Sequence, residues 1–102
     1  MYFVYVLRSK VDKEFYSGFT TDLRIRIDEH NRGEQLSTKS RIPLELVYYE
    51  CSFNKNDALN REKYLKSGIG KRFIKNRLAS YLKDLNNNDN PASKMCVEGR
   101  AP

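Results

Sequence analysis

Runs of apolar residues alternate with short polar segments, and the first half of this pattern predicts strands. Residues 2–8 are β-branched and aromatic enough for one strand. The polar stretch 9–13 turns the chain, and residues 14–19 (EFYSGF) predict a second strand. Because the connection is short, we expect an antiparallel hairpin. Residues 44–51 (LELVYYEC) follow Pro43 and predict a third strand.

Three helices are expected between and after these strands. The first spans residues 22–32, since residues able to cap a helix precede Leu23 and Gly33 follows its last turn. The second spans residues 55–66, and the third spans residues 70–85, where apolar residues recur at helical spacing. The order β-β-α-β-α-α predicts an α+β fold, with a three-stranded antiparallel sheet flanked by helices.

The extent of this pattern predicts one folded domain followed by a tail. A chain of 102 residues has the typical size of a single domain, and residues 1–85 carry all of the apolar periodicity. Residues 86–102 lack it and are expected to be disordered. No apolar run reaches the length of about 18 residues that a membrane helix needs. The first apolar run resembles a strand more than a signal peptide.

Charge and cysteine content narrow the class of protein. The net charge is +6, and the pI near 9.4 favours a polyanionic partner, although a solvated basic surface explains the charge equally well. Cys51 and Cys96 are far apart, and His30 is the single histidine, so the spacing of these residues argues against a zinc site. Two isolated thiols favour a reducing cytoplasm.

A few polar residues occupy positions where apolar ones are expected. Glu62 lies on the apolar stripe of the second helix, which predicts either a metal ligand or an ion pair, for example with Arg26. Arg26 and His30 share the apolar face of the first helix; a snorkelling arginine and a buried histidine are the ordinary interpretations. Tyr5 and Tyr16 lie on the hairpin, where tyrosines usually serve in packing.

Together these residues resemble the GIY-YIG nuclease family. The segments Phe3-Val4-Tyr5 and Tyr16-Ser17-Gly18 resemble the two short motifs that name it. The stretch TTDLRIRIDEHNRG resembles the family's first helix, and DALNREKYLKSGIGKRF resembles its glutamate-bearing second helix in small stand-alone members. The resemblance extends from residue 1 to about residue 80.

The resemblance implies a metal-dependent endonuclease that hydrolyses phosphodiester bonds in nucleic acid, with DNA preferred and a structure-selective or repair role. It implies that Glu62 binds Mg²⁺ or Mn²⁺ and that Arg26 stabilises phosphate charge. Tyr5 is expected to be the general base, with Tyr16 orienting the water or phosphate. His30 is the other candidate base, because its ordinary pKa is closer to neutrality.

Some positions depart from the family's pattern. Phe3 replaces the first glycine of the name motif, and Ser17 replaces an isoleucine. Phe19 stands where several relatives have a polar or basic residue, and Ile74 stands where some use an asparagine. We expect these departures to leave the core chemistry intact and to affect the rate of cleavage and the binding of the substrate.

The basic residues suggest where nucleic acid binds. Substrate choice is expected to depend on a protein partner or on nucleic-acid shape. Candidates for contacts with the phosphate backbone are Lys39, Arg41, Lys71, Arg72 and Lys75. Two rival classes are a non-catalytic nucleic-acid-binding module with a vestigial site and a protein–protein adaptor. Joint retention of all the expected site residues favours the enzyme.

Overall fold

The computed structural model of the protein describes residues 1–87 and contains a three-stranded antiparallel sheet. Its strands are β1 (Tyr2–Ser9), β2 (Phe15–Thr20) and β3 (Leu44–Ser52). The strand order is β2-β1-β3, so β1 lies in the centre and pairs antiparallel with both neighbours. The predicted antiparallel sheet is confirmed, and each strand agrees with its prediction to within one residue at either end.

The helices confirm the predicted α+β fold with one change in their number. They are α1 (Leu23–Asn31), α2 (Lys55–Lys66), α3 (Gly68–Arg77) and α4 (Ala79–Asn87), and a short 3-10 turn covers Lys39–Arg41. The single helix predicted over residues 70–85 is instead two helices, which are separated by a turn at Leu78. Residues 72–87 contain no glycine or proline, so the sequence gives no signal for this interruption.

Helix α1 has well-defined ends, and they fix the position of its last turn. The Asp22 carboxylate accepts a backbone N–H of the first turn at 3.1 Å. After the last turn, Gly33 adopts φ +76°, its N–H donates to the carbonyl of His30, and the N–H of Glu34 donates to the carbonyl of Glu29. This pair of bonds is the Schellman arrangement that ends many helices. It places His30 at the end of α1 nearest the following loop.

The core next to α1 is built on one face of β1. Its members are buried or partly buried apolar residues from the sheet, from α1 and from the segment before β3: Tyr5, Leu7, Leu44, Tyr16, Leu23, Ile27, Ile42 and Leu46. Successive side chains of a strand point to opposite faces, so Val4 faces the other side of β1. There it lines a cavity of about 220 Å³ together with Glu50 of β3 and with Ala58 and Arg61 of α2.

The described residues divide into two compact units, residues 1–71 and residues 72–87. The expected domain over residues 1–85 therefore stays a prediction. Asn86 and Asn87 belong to α4 rather than to the predicted tail, and the remainder of that tail, residues 88–102, lies outside the described residues. Within residues 1–87, no helix has the length and apolar character needed to cross a membrane.

Candidate active site

Two buried aromatic residues form the centre of the candidate site. The Tyr5 hydroxyl of β1 lies 2.8 Å from Nε2 of His30, which belongs to the last turn of α1. Tyr5 is 1% exposed and His30 is 0% exposed. Their rings meet edge to face, with 5.8 Å between centroids. The sequence placed these residues on separate elements, and the structure joins them by a hydrogen bond.

Strand β2 supplies the second tyrosine and a glycine that makes room for the first. The Tyr16 ring meets the His30 ring edge to face at 5.1 Å between centroids, so His30 contacts both tyrosines. Gly18 is the partner of Tyr5 across the two strands. A Cβ atom at Gly18 would collide with Cζ and the hydroxyl oxygen of Tyr5. Only glycine therefore lets the Tyr5 ring cross β2 at this level.

Helix α2 contributes Glu62 together with a lysine. The Glu62 side chain is 19% exposed, and its Oε2 lies 3.2 Å from Nζ of Lys66, one turn further along the helix. The same Nζ lies 5.8 Å from the centroid of the Tyr16 ring, within reach of a cation–π contact. The sequence left open a metal ligand or an ion pair for Glu62; the structure contains an ion pair, with Lys66 as the cation in place of the suggested Arg26.

Arg26 lies one turn before His30 on α1. Its Nε is 3.4 Å from Oε1 of Glu29, and its side chain is about one-third exposed. A partly exposed pair of this kind contributes little stability. The guanidinium is close enough to influence the ionisation of both Tyr5 and His30. The Arg26 side chain is therefore weakly held, and its positive charge acts on Tyr5 and His30 at the centre of the site.

The surroundings keep the two central groups uncharged. Burial raises the pKa of Tyr5, the neighbouring Tyr16 and Glu62 raise it further, and Arg26 opposes them. Burial also lowers the pKa of His30, and the positive charge of Arg26 acts in the same direction. At neutral pH the free chain thus holds a phenol hydrogen-bonded to a neutral imidazole.

Sequence reasoning missed two residues of this cluster. Thr38, which is 0% exposed, places its Oγ1 2.7 Å from Nδ1 of His30. It lies in an irregular loop, where no periodicity indicates which side chain is buried. Lys66 was also missed, although its spacing of four residues from Glu62 is the spacing at which oppositely charged helix residues pair.

The basic residues expected to contact nucleic acid differ in their exposure and in their contacts with the rest of the protein. Four have exposed side chains, one in the 3-10 turn and three on α3: Lys39, Lys71, Arg72 and Lys75. Arg41 instead connects its loop to the β1–β2 turn, with Nε 3.0 Å from Oδ2 of Asp12 and Nη2 3.4 Å from the carbonyl of Phe15. Their roles in binding stay predictions.

A metal ion at this site would have few protein ligands, so water or substrate would have to supply the others. Within residues 1–87, no three side chains of His, Cys, Asp or Glu lie together as a metal-binding group. Glu62 already holds a cation, the Lys66 ammonium, against its carboxylate. The donor set fits Mg²⁺, which commonly binds one or two carboxylates and completes its shell with water and phosphate oxygens.

Comparison with known proteins identifies the family. The sequence profile of the GIY-YIG catalytic domain matches residues 1–75. This chain belongs to the GIY-YIG family. The match includes all four elements that carry the candidate site, β1, β2, α1 and α2. No solved structure matches the chain.

Several small GIY-YIG relatives share the name "UPF0213 protein". The one from Haloquadratum walsbyi is 40% identical over 67 residues, which cover 65% of this chain and 74% of the relative. The one from Clostridium perfringens is 43% identical over 67 residues, covering 65% and 71%. A Staphylococcus aureus protein is 39% identical over 67 residues, covering 65% and 80%. These relatives support a small stand-alone member of the GIY-YIG family, and their name states no activity.

GIY-YIG membership supports a nuclease in general terms, a hydrolase with nucleic acid as its substrate. Nucleases of this family generally use divalent metal ions.

Proposed function

We propose that this protein is a metal-dependent endonuclease that hydrolyses phosphodiester bonds, with DNA as its substrate. The observation that carries the proposal is the convergence of four elements on one cluster. His30 contacts both Tyr5 and Tyr16, and the Lys66 side chain links the Glu62 carboxylate to the Tyr16 ring. Packing alone does not require two tyrosines, an imidazole and a carboxylate to meet at one place.

Glu62 is the residue we assign to the metal. Mg²⁺ or Mn²⁺ would bind its carboxylate, with water and phosphate oxygens as the remaining ligands. When bound, such an ion neutralises charge on the phosphoryl oxygens and favours attack by water. For its part, Glu62 supplies a negative charge at the edge of the cluster, and it must exchange the Lys66 ammonium for the ion.

Arg26 is the residue we assign to the phosphate. Its contact with Glu29 is a single long ion pair on one helix, so the guanidinium is available to another anion. Two parallel N–H donors match two phosphate oxygens, and charge-assisted bonds of this kind are stronger than neutral ones. As charge accumulates on the non-bridging oxygens, Arg26 would stabilise the transition state more than the ground state.

We assign Tyr5 as the general base that removes a proton from the attacking water. Tyr16 would orient the water or phosphate. Removing that proton creates the hydroxide that forms the new P–O bond as the bond to the leaving oxygen breaks. Tyr5 must act as a phenolate, and burial raises its pKa. The contact of Tyr5 with His30 and the charge of Arg26 therefore decide whether the Tyr5 phenolate can form.

Binding of the nucleic acid would be mainly electrostatic. The exposed residues Lys39, Lys71, Arg72 and Lys75 are suited to contact phosphates. Arg41 would first have to leave Asp12. Such contacts carry no sequence information, so substrate choice would rest on nucleic-acid shape or on a protein partner. A structure-selective or repair role would follow from that kind of recognition.

The test is single-turnover cleavage of duplex, flapped and branched DNA and of matching RNAs, with and without Mg²⁺ or Mn²⁺. Glu62→Gln keeps the size of the side chain and removes its charge, so we expect cleavage to fall to the level seen without metal. The fold and most of the nucleic-acid binding should persist, because the lost ion pair with Lys66 is worth less than about 1 kcal/mol.

Glu50→Gln is the matched control. Glu50 accepts three hydrogen bonds at 2.8 to 3.0 Å from Arg61, beside the cavity next to Val4. We expect this variant to lose about 1 kcal/mol of stability and to cleave normally. Full activity of Glu62→Gln would remove the assigned metal ligand. Salt-sensitive binding without cleavage by the parent chain would instead favour a non-catalytic binding module.

A further inference from the structure

Thr38, His30 and Tyr5 form a continuous chain of buried polar side chains. Thr38 Oγ1 lies 2.7 Å from Nδ1 of His30, and Nε2 of His30 lies 2.8 Å from the Tyr5 hydroxyl. None of the three residues is more than 1% exposed. The imidazole is therefore held at both nitrogens, and the directions of the two hydrogen bonds depend on which nitrogen carries its proton.

Counting the hydrogens shows that the two possible arrangements differ. Neutral His30 contributes one N–H, and Thr38 and Tyr5 contribute one O–H each, so three hydrogens serve two hydrogen bonds. If Nδ1 carries the proton, both bonds point toward Thr38, and the Thr38 hydrogen is left over. If Nε2 carries it, both bonds point toward Tyr5, and the Tyr5 hydrogen is left over.

The two ends of the chain do not accept a spare hydrogen equally well. Within residues 1–87, His30 is the one hydrogen-bond partner of the Thr38 hydroxyl, which is fully buried. A spare hydrogen there would be a buried donor without an acceptor, which proteins avoid. At the other end, the proposed function places the attacking water or a phosphate oxygen beside the Tyr5 hydroxyl, and either oxygen can accept its spare hydrogen.

We propose that Thr38 donates its hydroxyl hydrogen to Nδ1 of His30, and that Nε2–H of His30 consequently donates to the Tyr5 oxygen. Thr38 is then a positioning residue, since it acts on the reaction only through His30. In this arrangement His30 does not take the Tyr5 proton; it supplies a hydrogen bond to the oxygen that must carry negative charge.

This arrangement has a chemical consequence that rests on the proposed function. A donor aimed at the Tyr5 oxygen stabilises the phenolate more than the phenol, which opposes the effect of burial on the pKa of Tyr5. The groups that face the pair from the packed elements are Tyr16 of β2, Arg26 and Glu29 of α1, and Glu62 of α2. Of these groups, only Arg26 lowers the pKa of Tyr5, as the His30 donor does.

The loop is built to hold Thr38 in place. The N–H of Thr38 donates to the carbonyl of Gln35, and its own carbonyl accepts from the N–H of Arg41 at 2.9 Å. The Arg41 carbonyl in turn accepts from the hydroxyl of buried Ser9 at 2.6 Å, and the Arg41 side chain pairs with Asp12. Thr38 is thus tied to the β1–β2 turn, so its hydroxyl meets His30 at a fixed position.

Nuclear magnetic resonance on ¹⁵N-labelled protein tests the hydrogen-bond directions without any need for activity. His30 is the single histidine, so its two ring nitrogens give unambiguous signals. We expect a protonated Nε2 and an unprotonated Nδ1 at neutral pH in the parent chain and in Thr38→Ser, which keeps the hydroxyl. Thr38→Val keeps the shape without it, so Nδ1 should lose its donor and the proton should redistribute toward Nδ1. A proton resident on Nδ1 in the parent chain would overturn the inference.

Cleavage rates measured against pH test the consequence. Thr38→Val should raise the pKa of Tyr5 and lower the single-turnover rate on the rising limb about tenfold for each unit of that increase. Thr38→Ser should stay within about twofold of the parent chain, since its hydroxyl can make the same bond. Equal profiles for the valine variant and the parent would refute the positioning role. If the parent chain cleaves nothing, the proposed function fails, and the ¹⁵N signals still decide the inference.

Discussion

Gly18 lies directly beneath the phenol ring of Tyr5, its partner across β1 and β2. A Cβ atom at this position would overlap Cζ and the hydroxyl oxygen of Tyr5, the oxygen that meets His30. The glycine of the second name motif is therefore required by the tyrosine of the first. The two motifs are a single structural unit, joined by the register of the hairpin.

Replacing Gly18 by alanine should displace Tyr5 and break its hydrogen bond to His30. We expect a loss of about 1–3 kcal/mol, as for other overpacked sites. The melting temperature should fall by several degrees, at about 4–8 °C per kcal/mol in a domain of this size. Thermal unfolding measures this change, and the ¹⁵N signal of Nε2 in His30 reports the lost bond.

The matched control for that substitution is Gly68→Ala. Gly68 begins α3, and an added Cβ would meet nothing within 4 Å. Alanine there should leave the stability unchanged or raise it by up to about 1 kcal/mol. If the variants at Gly18 and Gly68 melted alike, Tyr5 would not be packed against the glycine as described.

Burial of neutral His30 should make stability fall on mild acidification. The folded chain lowers the pKa of His30 below the ordinary value of 6.5. As pH falls below 6.5, the unfolded chain binds protons before the folded chain does, so the free energy of unfolding decreases. The decrease stops below the folded-state pKa and amounts to about 1.4 kcal/mol for each unit between the two pKa values.

Urea denaturation at several pH values between about 5 and 8 measures this slope. The control is His30→Gln, which cannot titrate. Its absolute stability will differ because Tyr5 and Thr38 lose their partner, so the comparison concerns only the slope with pH. An equal slope in both proteins would mean that His30 is protonated as readily in the folded chain as in the unfolded one.

Arg26 and Arg24 allow a test of charge position within one helix. The charge of Arg26 acts on the ionisation of Tyr5 and His30, whereas Arg24 is exposed. Arg26→Ala should reduce single-turnover cleavage by about 10²–10³, the usual cost of removing a donor that stabilises transition-state charge. Arg24→Ala makes the same change in net charge and should cleave normally. Similar losses in both variants would assign the effect to general electrostatic attraction.

The three strands and the first two helices were predictable because local chemistry determines them. Asn54 caps α2 by accepting the N–H of Asp57, and the predicted helix over residues 55–66 agrees with Lys55–Lys66. The burial of His30 likewise followed from its spacing of three residues from Ile27 on an apolar face. In each case the determining residues are neighbours in sequence.

The features that escaped prediction depend on contacts between residues far apart in sequence. Thr38 is buried because its loop is tied to Ser9 at the end of β1, and no local pattern records that tie. Asn31 bonds both the N–H and the carbonyl of Leu44, which connects α1 to the start of β3 across the same loop. Tertiary hydrogen bonds of this kind give an irregular segment a fixed shape without any periodic signal.

Lys66 should compete with the metal ion for Glu62. Its ammonium lies 3.2 Å from the Glu62 carboxylate, so an ion that binds there must displace it. The pair is partly exposed and is worth about 0.2–1 kcal/mol, which corresponds to a factor of about one to five in affinity. Lys66→Gln should therefore strengthen Mn²⁺ binding by up to about fivefold, and it should lower the Mg²⁺ concentration needed for half-maximal cleavage by the same factor.

Lys63→Gln is the control for this last change, because Lys63 is exposed on the same helix and adjacent to Glu62 in sequence. It removes the same charge, so any gain in metal affinity that comes from net charge alone will occur in both variants. Calorimetric titration with Mn²⁺ in the absence of nucleic acid separates the two effects. Stronger binding in the Lys66 variant alone would support competition at the carboxylate. Equal affinities would show that the Lys66 ammonium does not compete with a metal ion at Glu62.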